Sequence, residues 1–297
     1  MNRNFKVLSL LIAFVLITAG CKKDDGASIE PPRDYGEQYA VEKPEIEDYL
    51  KTHYIASVDA EFNVVVEEIP DGSDEVSIWD QTDYPLQSKV ATYADVAHTL
   101  YYIVFQEGVG ESPTRADNVF AAYRGFRLDG TQFDYNPYPD TFSSLAATIR
   151  GWQEIIPLFK GGEYVDNPDS PDPAHFENYG AGMMFLPSAY GYYNTSQTNI
   201  PPYSPIIFTF NLYDVRFIDT DGDGILNRYE TEEGIDIKDY DTDGDGTPNY
   251  LDTDDDGDGH STRTEITDPL TGEPYSFDEI PTCEGGTIKK HLDPNCN

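Results

Sequence analysis

Residues 219–258 hold sixteen carboxylates and only two cations, Arg228 and Lys238. A segment so charged cannot pack against itself in water without a neutralising partner. The spacing of the acids says what that partner is. Asp219, Asp221 and Asp223, then Gly224 at the sixth position and Glu230 at the twelfth, follow the pattern of a calcium loop. In such a loop alternate carboxylates converge around a glycine turn, and the seventh residue, here Ile225, lends its backbone carbonyl. Asp241, Asp243 and Asp245 with Gly246, Thr247 and Asp252 repeat the pattern. Asp254, Asp256 and Asp258 with Gly259, His260 and Glu265 repeat it again. A merely solvated acidic run has no reason to keep glycine at the sixth position each time. The expected ion is Ca2+ in a structural role, and without it self-repulsion should leave this arm disordered. The net charge of -36 also repels phosphate backbones, so nucleic acid is set aside as a partner.

The loops begin at Asp219, Asp241 and Asp254, and a strand-like run closes just before the first of them. That leaves no space for an entering helix, which disfavours paired helix–loop–helix sites. The uneven spacing resembles thrombospondin type 3 repeats, and the resemblance implies a segment, residues 216–268, that wraps around calcium with little regular structure.

A second signal lies between residues 123 and 208, where four short islands recur in order. They are Tyr123-Arg124-Gly125-Phe126 with Asp129-Gly130 and Phe133-Asp134; Ile149-Arg150-Gly151-Trp152; Pro187-Ser188-Ala189-Tyr190-Gly191; and Ile200-Pro201-Pro202 leading to Ile206-Ile207-Phe208. None of the conspicuous residues is a nucleophile or a metal ligand. Aromatics, branched aliphatics and one lone Asp point to a pocket that works by shape and dryness. His53, His98, His175, His260 and His291 form no zinc-protease pair, and no Gly-x-Ser-x-Gly elbow occurs.

These islands resemble the FK506-binding-protein (FKBP) family of peptidyl-prolyl isomerases over residues 99–215. The resemblance implies an α+β fold, a twisted antiparallel sheet wrapped around one short helix, with the ligand between them. It implies Trp152 as the floor for a proline ring, Tyr123, Phe133 and Phe208 as walls, and Ile149 as a wall and N–H donor. Tyr190 would donate its hydroxyl to a substrate carbonyl, and Asp134 would anchor the rim. No cofactor is needed for that chemistry. A further wall aromatic falls to Tyr138 or Phe142, and Thr148 stands where the family usually has Val or Ile. A polar insertion at about residues 164–180, with Pro168, Pro171 and Pro173, departs from the family pattern, as does the loop with Tyr192, Tyr193 and Asn194.

The N-terminus is an address. Arg3 and Lys6 precede an apolar run over residues 7–19 that is too short to span a bilayer and suits a signal peptide. Residues 1–20 end at Cys21 in a sequence that looks like a lipobox, so Cys21 is the expected lipidation site and the membrane is reached through acyl chains. An ordinary secretory signal with an incidental cysteine is the alternative. Lys22-Lys23-Asp24-Asp25 resembles an export signal to the outer face of an outer membrane, and also reads as a solvated start to a polar tether over residues 21–43. Of the remaining cysteines, Cys283 and Cys296 are most simply a disulfide in an exported protein, closing the tail over residues 269–297.

Pro44 is the expected start of a helix with Ile46, Tyr49, Leu50 and Tyr54 on one face, within an extension over residues 44–98. Strands are expected at residues 62–67, 100–106, 118–124 and 206–215, and a helix around Trp152. The reading is a lipid-anchored isomerase acting on proline-containing polypeptides at the outer membrane, on its periplasmic or cell-surface face. The alternative from another class is a non-catalytic surface binding or adhesion protein that uses the same pocket to grip peptides.

Overall fold

Asp34 starts the first helix, not Pro44. Its carboxylate accepts from the Glu37 N–H at 3.0 Å and so satisfies one of the free donors of the first turn. Helix α1 then runs Tyr35–Thr52 with Pro44 inside it. A proline there removes one helical donor, yet Gln38, Glu42, Ile46 and Leu50 repeat every fourth residue and bury one stripe. That burial outweighs the local defect, and residues 35–43 belong to the helix rather than to a tether. The computed structural model describes residues 31–166, 173–232 and 235–296. The signal segment and Cys21, with Pro168 and Pro171 of the insertion, lie outside the described residues.

Strands β1 (His53–Val58) and β2 (Val64–Glu68) form an antiparallel hairpin. The main sheet is built from β3 (Gln87–Tyr93), β4 (Val96–Gln106), β5 (Asn118–Arg127), β6 (Gln132–Asn136), β10 (Gly180–Leu186) and β11 (Ile206–Arg216). Its order is β3-β4-β10-β11-β5-β6, with the short β7 (Ser143–Ser144) beside β5. Every pairing is antiparallel. The insertion closes into a small hairpin of β8 (Glu163–Val165) and β9 (His175–Glu177).

Strand β10 explains the architecture. All seven of its residues are buried, because both faces of the sheet are covered. Met184 and Leu186 point into a core shared with Trp152, Ile155 and Phe208, whereas Met183 and Phe185 point into a core shared with Ile46 and Leu50 of α1. Alternation along a strand sends neighbours to opposite faces, so the same short run serves both. Helix α2 (Arg150–Ile155) lies on the first face. Gly151 permits it, since a Cβ there would meet Leu186 Cδ1 at 2.3 Å. The fold is therefore α+β, with a short helix against an antiparallel sheet, and α1 and the β1–β2 hairpin form a second layer behind it.

Beyond β11 the described residues carry 3-10 turns, the one-turn helix α3 (Thr262–Glu265) and two isolated antiparallel bridges, Thr267 with Pro274 and Thr282 with Lys289. This arm docks back on the sheet domain. Ile237 packs with Ala116 and Ala146, with Tyr250 against them. Arg150 Nη1, at the start of α2, donates to Asp236 Oδ2 at 2.8 Å. A second small core of Ile225, Ile266 and Ile280 joins the loops to the tail, so residue 268 marks no break. Cys283 and Cys296 are disulfide-bonded, with Cα atoms 5.6 Å apart.

Candidate functional site

Between β5, β11 and α2 lies a cavity of about 260 Å³. Trp152 is almost buried and forms its base. The Tyr123 ring meets it edge-on at 5.2 Å, and Phe208 does so at 5.5 Å. Such edge-to-face contacts fix ring positions as well as burying area. Val119, Ala121, Ala147, Thr148 and Ile149 complete a largely apolar lining.

Few polar groups reach it. The Tyr123 hydroxyl donates to Asp134 Oδ2 at 3.1 Å. Burial, reinforced by the Asp134 charge, pushes that phenol up to about 12, so it stays a donor throughout the physiological range. Asp134 is exposed at the mouth, where the Tyr135 N–H donates to its Oδ1. The Ile149 N–H, just before α2, donates to no acceptor among the described residues.

Five of the seven residues expected at the pocket line it: Tyr123, Asp134, Ile149, Trp152 and Phe208. Phe133 stands one layer back, edge-on to Phe208 at 5.4 Å. Tyr190 is the correction. It is buried against His98 and Tyr93, and borders a separate groove with Arg150 and Glu154. The tyrosine at the cavity is Tyr192, whose hydroxyl has no hydrogen-bond partner among the described residues and whose pKa is raised by burial and then by Asp134.

A buried polar clamp causes the exchange. Glu42 of α1 accepts from the Ser188 N–H at 2.8 Å, from the Ser188 hydroxyl at 2.5 Å and from Gln38 Nε2 at 2.6 Å. The clamp draws the turn at Ser188–Tyr190 beneath α1 and buries Tyr190 there. Past Gly191 the chain turns back, and Tyr192 reaches the cavity. Neither candidate for the further wall aromatic lines it. Tyr138 is 88% exposed, and Phe142 packs on Phe120 and under Arg216. No described residue of the insertion lines it either, since Phe176 turns toward Tyr213.

The acidic loops share one local geometry. In each, the N–H of the sixth-position glycine donates to the first carboxylate: Gly224 to Asp219, Gly246 to Asp241 and Gly259 to Asp254. The N–H groups of Ile225, Thr247 and His260 donate to the fifth-position carboxylates of Asp223, Asp245 and Asp258. All three glycines have positive φ, a conformation L side chains rarely adopt. Carboxylate oxygens then converge within 4.8 Å in Asp219/Asp221/Asp223, Asp241/Asp243/Asp245 and Asp254/Asp256/Asp258. Oxygen-only donors so placed suit a hard cation such as Ca2+. Buried oxygens of Asp221, Asp254, Asp256 and Asp258 without a protein partner fit the same ion. The twelfth-position residues differ from expectation. Glu230 gathers with Asp223 and an unanticipated residue, Asp255, while Asp252 and Glu265 stand outside these groups.

A protein-family model described as "BamM C-terminal" matches residues 215–290, the arm and much of the tail. The sheet domain is similar to other proteins. The peptidyl-prolyl cis-trans isomerase Mip of Coxiella burnetii is 36% identical over 92 residues, covering 30% of this chain and 40% of that protein. A probable FKBP-type peptidyl-prolyl cis-trans isomerase, FkpA of Neisseria meningitidis, is 37% identical over 100 residues, covering 31% and 35%. The crystal structure of FkpA from Escherichia coli aligns over 43% of this chain and 51% of that chain, at 27% identity and a TM-score of 0.32. The chain thus spans two fifths or less of the curated relatives named here, and over that span it is homologous to FKBP-type isomerases.

Proposed function

We propose that the protein is a peptidyl-prolyl cis-trans isomerase acting on proline-containing polypeptides. The observation that carries this reading is the cavity itself, with an aromatic base and walls and few polar groups, in the segment homologous to FKBP-type isomerases. Rotation about an X–Pro bond faces a barrier of about 18–20 kcal/mol because the amide must lose its resonance. The twisted amide is less polarised than the planar one, so a dry pocket favours it relative to water. Trp152 offers a flat seat for the pyrrolidine ring. The Ile149 N–H and the Tyr192 hydroxyl are free donors available to flanking carbonyls, and fixed donors act without reorganising. Tyr123 and Asp134 hold each other at the rim.

The three acidic loops hold Ca2+ and stiffen the arm; the convergent, partnerless oxygens support that assignment. The chain is anchored by lipid at Cys21 in an outer membrane, facing the periplasm or the cell surface, a reading that rests on the sequence of residues 1–25. The test is isomerisation of a short X–Pro peptide by the protein with and without Ca2+. Turnover is expected, reduced at least tenfold by Trp152→Ala and severalfold by Tyr192→Phe, and unchanged within twofold by Tyr190→Phe. Peptide binding without turnover would instead make the domain a gripping module for proline-containing segments.

A further inference from the structure

In the first two acidic loops the second and ninth residues are tied together. Asn227 Nδ2 donates to the Thr220 hydroxyl at 2.8 Å while the Thr220 N–H donates to Asn227 Oδ1. Asn249 and Thr242 repeat both bonds. The third loop transposes the pair. Its second residue is Asp255 and its ninth is Thr262, and only the Asp255 N–H is engaged, donating to the Thr262 hydroxyl at 3.2 Å. The Asp255 carboxylate is thereby released from its own loop.

It does not go to solvent. Asp255 is 2% exposed, and its ligand oxygens gather with those of Asp223 and Glu230, also 2% exposed, within 4.8 Å of one another. Both oxygens of Asp255, both of Glu230 and Asp223 Oδ2 have no protein partner. Burying one unpaired carboxylate is costly, and burying three together adds their mutual repulsion. Arg263, whose charge acts on Asp223, spends a guanidinium N–H on the Gly222 carbonyl at 2.6 Å. Hard oxygens from two loops, dry and convergent, are what a divalent cation of calcium's size and flexible geometry accepts.

We propose that Asp223, Glu230 and Asp255 form a further calcium site, distinct from the three alternate-carboxylate clusters and shared between the first and third loops. The inference rests on the reading of the arm as calcium-binding. Glu230 then serves this shared ion instead of closing the first loop alone, and Asp223 borders two ions. The shared ion ties the start of the arm to its end, so the loops fold as one unit.

The experiment compares the full-length protein with Asp255→Asn, Glu230→Gln and the double variant. Radiolabelled calcium in equilibrium dialysis counts ions, and thermal melting follows stability in chelator and in saturating Ca2+. Each single variant should bind about one ion fewer than wild type, and the double variant should lose no more than either single one. In chelator, where the arm is unfolded, the variants should melt with wild type; in Ca2+ they should melt below it. A loss confined to the calcium-loaded protein separates a lost ligand from general damage. An unchanged ion count and affinity in Asp255→Asn would overturn the shared site while leaving calcium binding intact. Absence of any calcium binding by wild type would overturn both.

Discussion

The sheet domain and the acidic arm are held together by opposite means. The sheet domain buries apolar side chains on both faces of β10, and its buried polar groups, such as Glu42 with Ser188, are mostly paired inside the protein. Its native state is sufficient to itself. The arm buries Asp223, Glu230, Asp255, Asp256 and Glu265 while its apolar clusters hold only a few residues each. Burial, then repulsion from neighbouring carboxylates, pushes the Glu230 carboxyl up to about 10 and that of Asp255 up to about 8. One region carries its own cohesion, and the other, on the calcium reading proposed above, is a scaffold of ligands that draws its cohesion from an ion.

The largest effect that can break this contrast is calcium removal. Chelation should abolish hydrogen-exchange protection across residues 219–265 and leave the amides of β4, β5, β10 and β11 protected. Arm amides that stay protected in chelator would show that the arm, too, is self-sufficient. Trp152→Ala is the mirror experiment. It should destabilise the sheet domain by about 3–5 kcal/mol, the usual cost of emptying a buried aromatic site, without changing the number of calcium ions bound. Denaturant melts paired with calcium titration check both halves.

A smaller effect sharpens the comparison within the tail. Burial, then Lys289, lowers the His291 pKa to about 4, so the folded state keeps this ring neutral. Between about 4 and its ordinary value of 6.5 the unfolded chain binds a proton that the folded chain does not. Stability is therefore fully present above pH 6.5 and is lost as pH falls toward 4, by at most about 1.4 kcal/mol per pH unit. Hydrogen exchange in the disulfide-closed tail should accelerate over that window in wild type and flatten in His291→Phe. Smallest of all is the ion pair between the regions. Arg150 and Asp236 are 41% and 17% exposed, so a double-mutant cycle on the two should return no more than about 1 kcal/mol. Because Arg150 opens the helix that carries Trp152, a larger coupling would mean that the arm and the cavity are less independent than their chemistry implies.

Much of this was legible in the residues. Strands β2, β5 and β11 fall where β-branched and aromatic runs place them, and five pocket residues were identified from their islands. Strand β10 is not legible in the pattern, although Met183, Met184, Phe185 and Leu186 form an apolar run. The expected insertion hid its start, and a strand buried on both faces shows no alternation. Helix α1 starts ahead of its expected position, which rested on Pro44 as a better start signal than a mid-helix residue. The Asp34 cap and the fourfold spacing from Gln38 to Leu50 were the signal that could have corrected it.

What the sequence determined by itself was local. Asp at alternate positions around a glycine makes the same turn wherever it occurs, because its hydrogen bonds close within six or seven residues. The aromatic identity of the cavity was likewise fixed by residues that strand register places on one face. Only the tertiary structure decided between Tyr190 and Tyr192, since Glu42, far back in the chain, draws Ser188 under α1 and leaves the next turn to supply the hydroxyl. Only the tertiary structure brought Asp255 to Asp223 and Glu230, since it belongs to another loop and no spacing rule links them. Both outcomes come from long-range contacts, and short-range patterns carry no record of those.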